Sequence, residues 1–127
     1  MWRRGRRKIR IAVTSTGTEL DSPVDPRFGR AAFILIVDSE TFDFEVLDNK
    51  ENVNALKGAG IQAACMISEK KAEVLLTGFC GPNAFKALNA AKIGVANNAN
   101  GSVRDAVTAF LDGKLPLSDK PNVEGQW

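Results

Sequence analysis

The segment Thr77–Phe85, TGFCGPNAF, places a thiol, Cys80, in a glycine-flanked turn. A cysteine beside a helix N-terminus and arginines tends toward the thiolate, which is a better metal or sulfide partner. The plainer role is a small side chain filling a tight turn. A second chemistry-bearing cluster is Arg27-Phe28-Gly29-Arg30, whose two guanidinium groups could grip an anion. Either arginine could instead pair with Asp21, Asp25 or Asp38 and pin its loop. Thr14, Ser15 and Thr16 offer hydroxyls, and Asn97, Asn98 and Asn100 offer amides in a turn-prone stretch. The absences decide as much. The chain has no histidine, so no Ser-His-Asp triad, Cys-His nucleophile pair or imidazole metal ligand can be built.

These residues need a scaffold, and the hydrophobic pattern supplies one. Lys8–Ser15 reads as a strand, and Ala32–Val37 as a buried strand. DSETFD reads as a hairpin turn leading into a third strand over Phe44–Leu47. Ile61, Ala64, Cys65 and Ile67 recur at helical spacing between Ala59 and Lys70, which puts Cys65 in the core. Glu73–Thr77 is a fourth strand, Pro82–Ala91 a helix with proline in its first turn, and Ile93–Ala96 a fifth strand. Ser102 and Asp105 have the spacing of a capping box before a last helix ending at Asp112-Gly113. The order β-β-β-α-β-α-β-α predicts a single α/β domain. Its mixed five-stranded sheet is flanked by helices, with strands 1, 3, 4 and 5 pointing one way.

In such sheets ligands bind beyond the carboxyl ends of the parallel strands. That edge collects Thr14–Thr18, Arg27–Arg30, Gly58-Ala59-Gly60, Gly78–Asn83 with Gly81 at the turn, and Asn97–Ser102. Three helix N-termini point there as well, each expected to favour an anion. The predicted site is a shallow, anion-seeking cleft without an acid–base pair.

Composition bounds the rest. Residues 1–10 carry six of the 17 basic residues and no acid, leaving 11 basic against 15 acidic residues in the remainder. The domain is mildly acidic with a basic extension at residues 1–7; no basic or aromatic pattern continues beyond it, so no nucleic-acid partner is expected. No apolar run is long enough to span a membrane, and Ile9-Arg10-Ile11 is too interrupted for an export signal, so the expected location is cytoplasmic. Residues 116–127 read as a loose tail, apart from any docking of Trp127.

Two familiar chemistries fit poorly. A flavodoxin-type phosphate loop opens directly into a helix, whereas Thr14–Thr18 runs into Asp21-Ser22-Pro23-Val24-Asp25-Pro26. A ribonuclease H-type nuclease needs clustered carboxylates, and strand 1 has none.

An ordered set of motifs carries a resemblance. Lys8–Val13, VDPRFGRA (24–31), Phe33–Asp38, Gly58-Ala59-Gly60, LTGFCGPNAF (76–85) and Gly113-Lys114-Leu115 look like the dinitrogenase iron–molybdenum cofactor biosynthesis family. The resemblance spans residues 8–115, essentially the whole domain. It implies a ribonuclease H-like fold without nuclease activity, and a protein that binds or carries a metal–sulfur cluster without turnover chemistry. The branch it most resembles, the orange proteins of sulfate-reducing bacteria, implies a molybdenum–copper sulfide cluster as the cofactor. The wider family implies an iron–molybdenum cofactor precursor instead, and P-loop ATPases of the MinD/Mrp type as partners; the competing reading is a small interaction module that carries the same fold and binds no metal. Family members often place histidine where Arg27 stands. Arginine here implies an electrostatic grip on a preformed anionic cluster in place of a coordinate bond. The cofactor-binding positions that follow are Thr14, Ser15, Thr16, Arg27, Phe28, Arg30, Gly78, Cys80, Gly81, Asn97, Asn98 and Asn100, with Cys80 the candidate metal ligand.

Overall fold

The computed structural model describes residues 8–50 and 58–118. The extension at 1–7, and Trp127 with the rest of the tail beyond 118, lie outside the described residues. The chain forms β1 (Arg10–Ser15), β2 (Phe33–Asp38), β3 (Phe44–Asp48), α1 (Ala59–Glu69), β4 (Val74–Leu76), α2 (Pro82–Ala90), β5 (Gly94–Ala96) and α3 (Val103–Leu111). The sheet order is β3-β2-β1-β4-β5. β2 runs antiparallel to both neighbours, and β1, β4 and β5 are parallel. This is the expected mixed sheet with β2 reversed, the arrangement of the ribonuclease H-like fold.

Alternation along the strands splits the apolar residues into two layers. Ala12, Ile34, Ile36, Leu75 and Val95 face α1 and α2. Ile11, Val13, Leu35, Val37, Val74 and Leu76 face α3. One expectation fails here. Cys65 is exposed, and so is Ile61, at 42% of its surface. The buried face of α1 consists of Ala59, Gly60, Ala63, Ala64 and Ile67. Small alanines let α1 approach the sheet closely, with Ile67 the one large apolar residue on the buried face, while Ile61 and Cys65 turn outward, against the hydrophobic spacing.

The hairpin turn before β3 forms as expected. The Asp38 carboxylate accepts the N–H groups of Glu40 (2.8 Å) and Thr41 (3.1 Å), and Phe42 takes left-handed backbone geometry, φ 63°. The hydrogen bond from Thr41, ahead of the nearby Lys8 charge, holds the Asp38 carboxyl below its ordinary pKa. Asp38 opposes Arg10 at the start of β1. It is therefore at the opposite edge from the predicted cleft and pairs with Lys8 at 3.5 Å, not with Arg27 or Arg30.

At the other sheet edge, residues 117 and 118 lie against β5. The Ser118 N–H donates to the Val95 carbonyl at 2.6 Å. Leu117 fills the space where a Cβ on Gly94 would stand, 3.1 Å away.

Two substitutions test the architecture. The Ser102 hydroxyl accepts the Asp105 N–H at 3.0 Å and the Asp105 carboxylate accepts the Ser102 N–H at 3.2 Å. Ser102→Ala is expected to lower stability in urea unfolding by about 1 kcal/mol, the usual loss of an N-cap. At Gly78 a Cβ would stand 2.7 Å from the backbone of Pro26. Gly78→Ala is expected to cost about 1–3 kcal/mol in the same assay, because backbone on both sides must shift.

Candidate functional site

The carboxyl edge of the sheet is covered by the long loop between β1 and β2. Its residues run across the strand ends as a strap. The Asp25 N–H donates to the Thr14 carbonyl (3.0 Å), Val24 N–H to Gly101 (2.9 Å), and Phe28 N–H to Phe79 (3.2 Å); Phe79 N–H returns a bond to Pro26 at 2.6 Å. The strap is thus tied to the ends of β1, β4 and β5 at once. At Gly29, φ 92°, a Cβ would stand 3.0 Å from Gly60, so the strap also rests on the first turn of α1.

Beneath it lies a buried polar rung. Val13 opposes Leu76 and Leu76 opposes Ala96, so the next rung consists of Thr14, Thr77 and Asn97. Thr14 and Thr77 are fully buried and Asn97 nearly so. The Thr14 hydroxyl lies 2.6 Å from the Asp25 carbonyl and 3.0 Å from the Thr77 hydroxyl. Asn97 Nδ2 donates to Ser118 Oγ at 3.0 Å, while its Oδ1 is buried without a partner. Thr77 was not anticipated from sequence, although strand register alone places it beside Thr14.

The predicted site residues therefore separate into two sets. Thr16, Arg27, Asn98 and Asn100 are exposed on the edge and Arg30 is half-buried. Thr14, Ser15, Phe28, Gly78, Cys80, Gly81 and Asn97 are buried. Phe28 belongs to the core shared with α1 and α2. Ser15 Oγ bonds within its own turn, at 2.8 Å from the Gly17 carbonyl. Arg27 is anchored as well as exposed: its N–H donates to Asp25 Oδ1 at 3.0 Å and its Nε lies 3.7 Å from the same oxygen. Phe79, a neighbour of Arg27 across a parallel bridge, exposes 40% of its surface, and the sequence carried no signal for it.

Two chemical expectations change. Of the two roles the sequence leaves open for Cys80, an easily ionised metal partner and a small packing side chain, the surroundings disfavour the first. The thiol is buried with no exposed surface, and that burial pushes its pKa up from 9.0 to about 12. Loss of water outweighs the helix end and the arginines, so at neutral pH it is a thiol. The three helix ends are also unequal. In α3 the N–H groups of Val103 and Arg104 donate to the Ser22 and Leu20 carbonyls, both at 2.9 Å, and Asp105 donates to Ser102 Oγ. The first turn of α3 is consumed by the chain itself and cannot serve an anion. Neither α1 nor α2 has a side-chain cap, because Gly58 and Gly81 precede them. Pro82 brings no N–H, so Asn83 and Ala84 supply the donors of the α2 end. On the α1–α2 side, Gly29 packs on Gly60 in the first turn of α1, and Arg27 bridges Phe79 just ahead of α2.

On the α3 side, Pro23, Val24, Pro26, Ala99, Asn100 and Gly101 line an open groove of about 500 Å³. Its walls are mostly apolar, and of the predicted residues only Asn100 reaches it. Among the described residues no three of His, Cys, Asp and Glu converge on one point. No helix among them is long and apolar enough to cross a membrane.

Comparison with known proteins agrees with this architecture. The family model described as dinitrogenase iron-molybdenum cofactor matches residues 7–113. The apo form of the orange protein from Desulfovibrio gigas is 49% identical, with TM-score 0.88, covering 90% of this chain and 96% of that one. A NifB-like protein from Thermotoga is 33% identical, with TM-score 0.79, covering 92% and 99%. Among curated proteins, none matches. With nearly the whole domain matched by the family model and near-half identity to a relative of the same fold, the chain belongs to the dinitrogenase iron–molybdenum cofactor family.

Proposed function

We propose that this protein holds a preformed molybdenum–copper sulfide cluster as cargo, on the α1–α2 side of the strapped edge, and performs no turnover chemistry. The observation that carries the reading is the pairing of two helix ends without side-chain caps with the Arg27–Arg30 segment between them. Helix N–H groups and guanidinium groups favour a compact anion through charge and hydrogen bonding. A sulfide-coated cluster brings its own metal ligands, so it needs a complementary surface more than a set of coordinating side chains.

In this reading Arg27 and Arg30 supply charge, and Asp25 keeps Arg27 in place. Asn98 and Asn100 add amide contacts at the rim, and Thr16 a hydroxyl. The buried residues Thr14, Ser15, Phe28, Gly78, Gly81 and Asn97 shape the edge from below. Cys80 is a packing residue of the turn. The likeness to the NifB-like protein favours, as a second reading, an iron–molybdenum cofactor precursor in the same place.

The test mixes metal-free protein with tetrathiomolybdate and a copper salt, removes excess reagent, and records the visible spectrum with bound molybdenum and copper. Coloured protein carrying both metals is expected. Arg27→Ala or Arg30→Ala is expected to reduce retention by about tenfold or more, the scale of one charge-assisted contact, and more salt should weaken it further. Protein that stays colourless and metal-free overturns the molybdenum–copper reading. Colour obtained only with iron, sulfide and molybdenum together moves the precursor reading to the front.

Cysteine labelling checks the role of the thiol. At pH 8 Cys65 is expected to react with iodoacetamide in the folded protein and Cys80 only after unfolding; Cys80→Ser should retain the cluster. The raised Cys80 pKa adds stability that is fully present below about pH 9 and is lost as pH rises toward about 12. Urea unfolding of Cys80→Ala should lack that part of the alkaline decline.

A further inference from the structure

The two edges of the sheet are finished differently. Beside β5 the chain lays down its own Ser118, bonded to Val95. Along β3, among the described residues, no further strand pairs with the outer side. β3 also exposes large apolar side chains, with Phe44 and Val46 each 37% exposed. Both stand on the α3 face, since they oppose Val37 and Leu35, but α3 does not cover them.

The hydrogen-bond parity of this edge is fixed by its inner side. The Asp38 N–H donates to the Asp43 carbonyl at 2.8 Å, and the Asn49 N–H to Ala32 at 2.9 Å. In an antiparallel ladder the bonded pairs alternate, so residues 43, 45, 47 and 49 turn their backbone groups toward β2. Phe44, Val46 and Asp48 turn theirs outward.

We propose that β3 is the interface of a twofold dimer, with the β3 of a second copy paired antiparallel about Val46. The outward residues are then in register with one another: Val46 opposes its own copy, and Phe44 opposes Asp48. Every outward N–H and C=O of the three residues finds a partner. The charges are compatible too. Glu45 faces Leu47 of the second copy and is neutralised at home by Lys70 (2.7 Å) and Arg10 (3.6 Å). No two like charges stand directly opposite, which is the usual penalty for self-pairing of a charged edge. Phe44 and Val46 of both copies form one apolar strip.

The strip is short, so the area buried falls below the roughly 1,200 Å² of stable interfaces. The dimer is therefore weak and dependent on concentration. The strands of the second copy run the opposite way, so the two strapped edges point to opposite ends of the ten-stranded sheet and both stay open.

Sedimentation velocity of the full chain from about 10 μM to 1 mM is expected to show the mass climbing from 13.7 kDa toward twice that value. Val46→Pro removes an outward N–H and no bond of the inner ladder, so it should keep the circular dichroism spectrum and abolish the rise. Val46→Lys, which sets two charges at the axis, should do the same. In a Cys65→Ser background, oxidised Val46→Cys should crosslink to a dimer and Asp48→Cys should not. Three results would each overturn the proposal: a chain monomeric throughout, a rise untouched by a folded Val46→Pro or Val46→Lys, or equal crosslinking at both positions.

Discussion

The structure depends on backbone hydrogen bonds between the β1–β2 strap and the loops that follow β4 and β5. The bond from the Phe79 N–H to the Pro26 carbonyl, at 2.6 Å, is the shortest of these ties, and the Phe79 carbonyl accepts the Phe28 N–H in return. It forms only because Gly78 has no side chain to push the strap away. Several side chains need this tie for their positions. Phe28 is held in the core, Cys80 is sealed from water, and Arg27 is presented on the surface with Asp25 beneath it. A loop that would otherwise be the most variable part of the chain thus becomes a roof for the sheet edge.

That roof redistributes the polar groups of the edge. An uncovered α/β edge would offer all three helix ends to a ligand. Here the carbonyls of Leu20 and Ser22 reach the first turn of α3 and neutralise its donors. The two helices that start after glycine, α1 and α2, have no such side-chain cap. Charge placement follows the same division. Arg104, on α3, pairs with Asp21 at 3.2 Å, while Arg27 pairs with Asp25 within the strap at 3.7 Å.

Much of the fold was legible because continuous apolar runs mark β1, β2 and β4 as buried strands, and because Ser102 and Asp105 mark a helix start without ambiguity. The β2–β3 hairpin was legible from its turn residues. α1 was legible as a helix but not fully in its orientation: Ile67 and Ala64 are buried as their spacing suggests, but Ile61 and Cys65 only mimic that stripe, and the rest of the contact is made by alanine and glycine, which carry little hydrophobic signal. The site was legible as an edge, since the topology dictates where the loops gather. Which residues face solvent was not, because the strap's long-range bonds decide it, and no local pattern in 16–30 encodes a partner fifty or more residues away. Cys80 is the clearest case. Its neighbours in sequence argue for a reactive thiolate, and its neighbours in space keep the proton on.

The bond between Ser118 and Val95 has a meaning for assembly that its modest size conceals. A sheet with two bare edges can add copies without limit, and the product is a fibre. Where the chain itself meets one edge, pairing through the other edge about a twofold axis gives a closed pair. The bond from Ser118 to Val95 is thus made on the edge that the pairing proposed for β3 leaves at each end of the ten-stranded sheet.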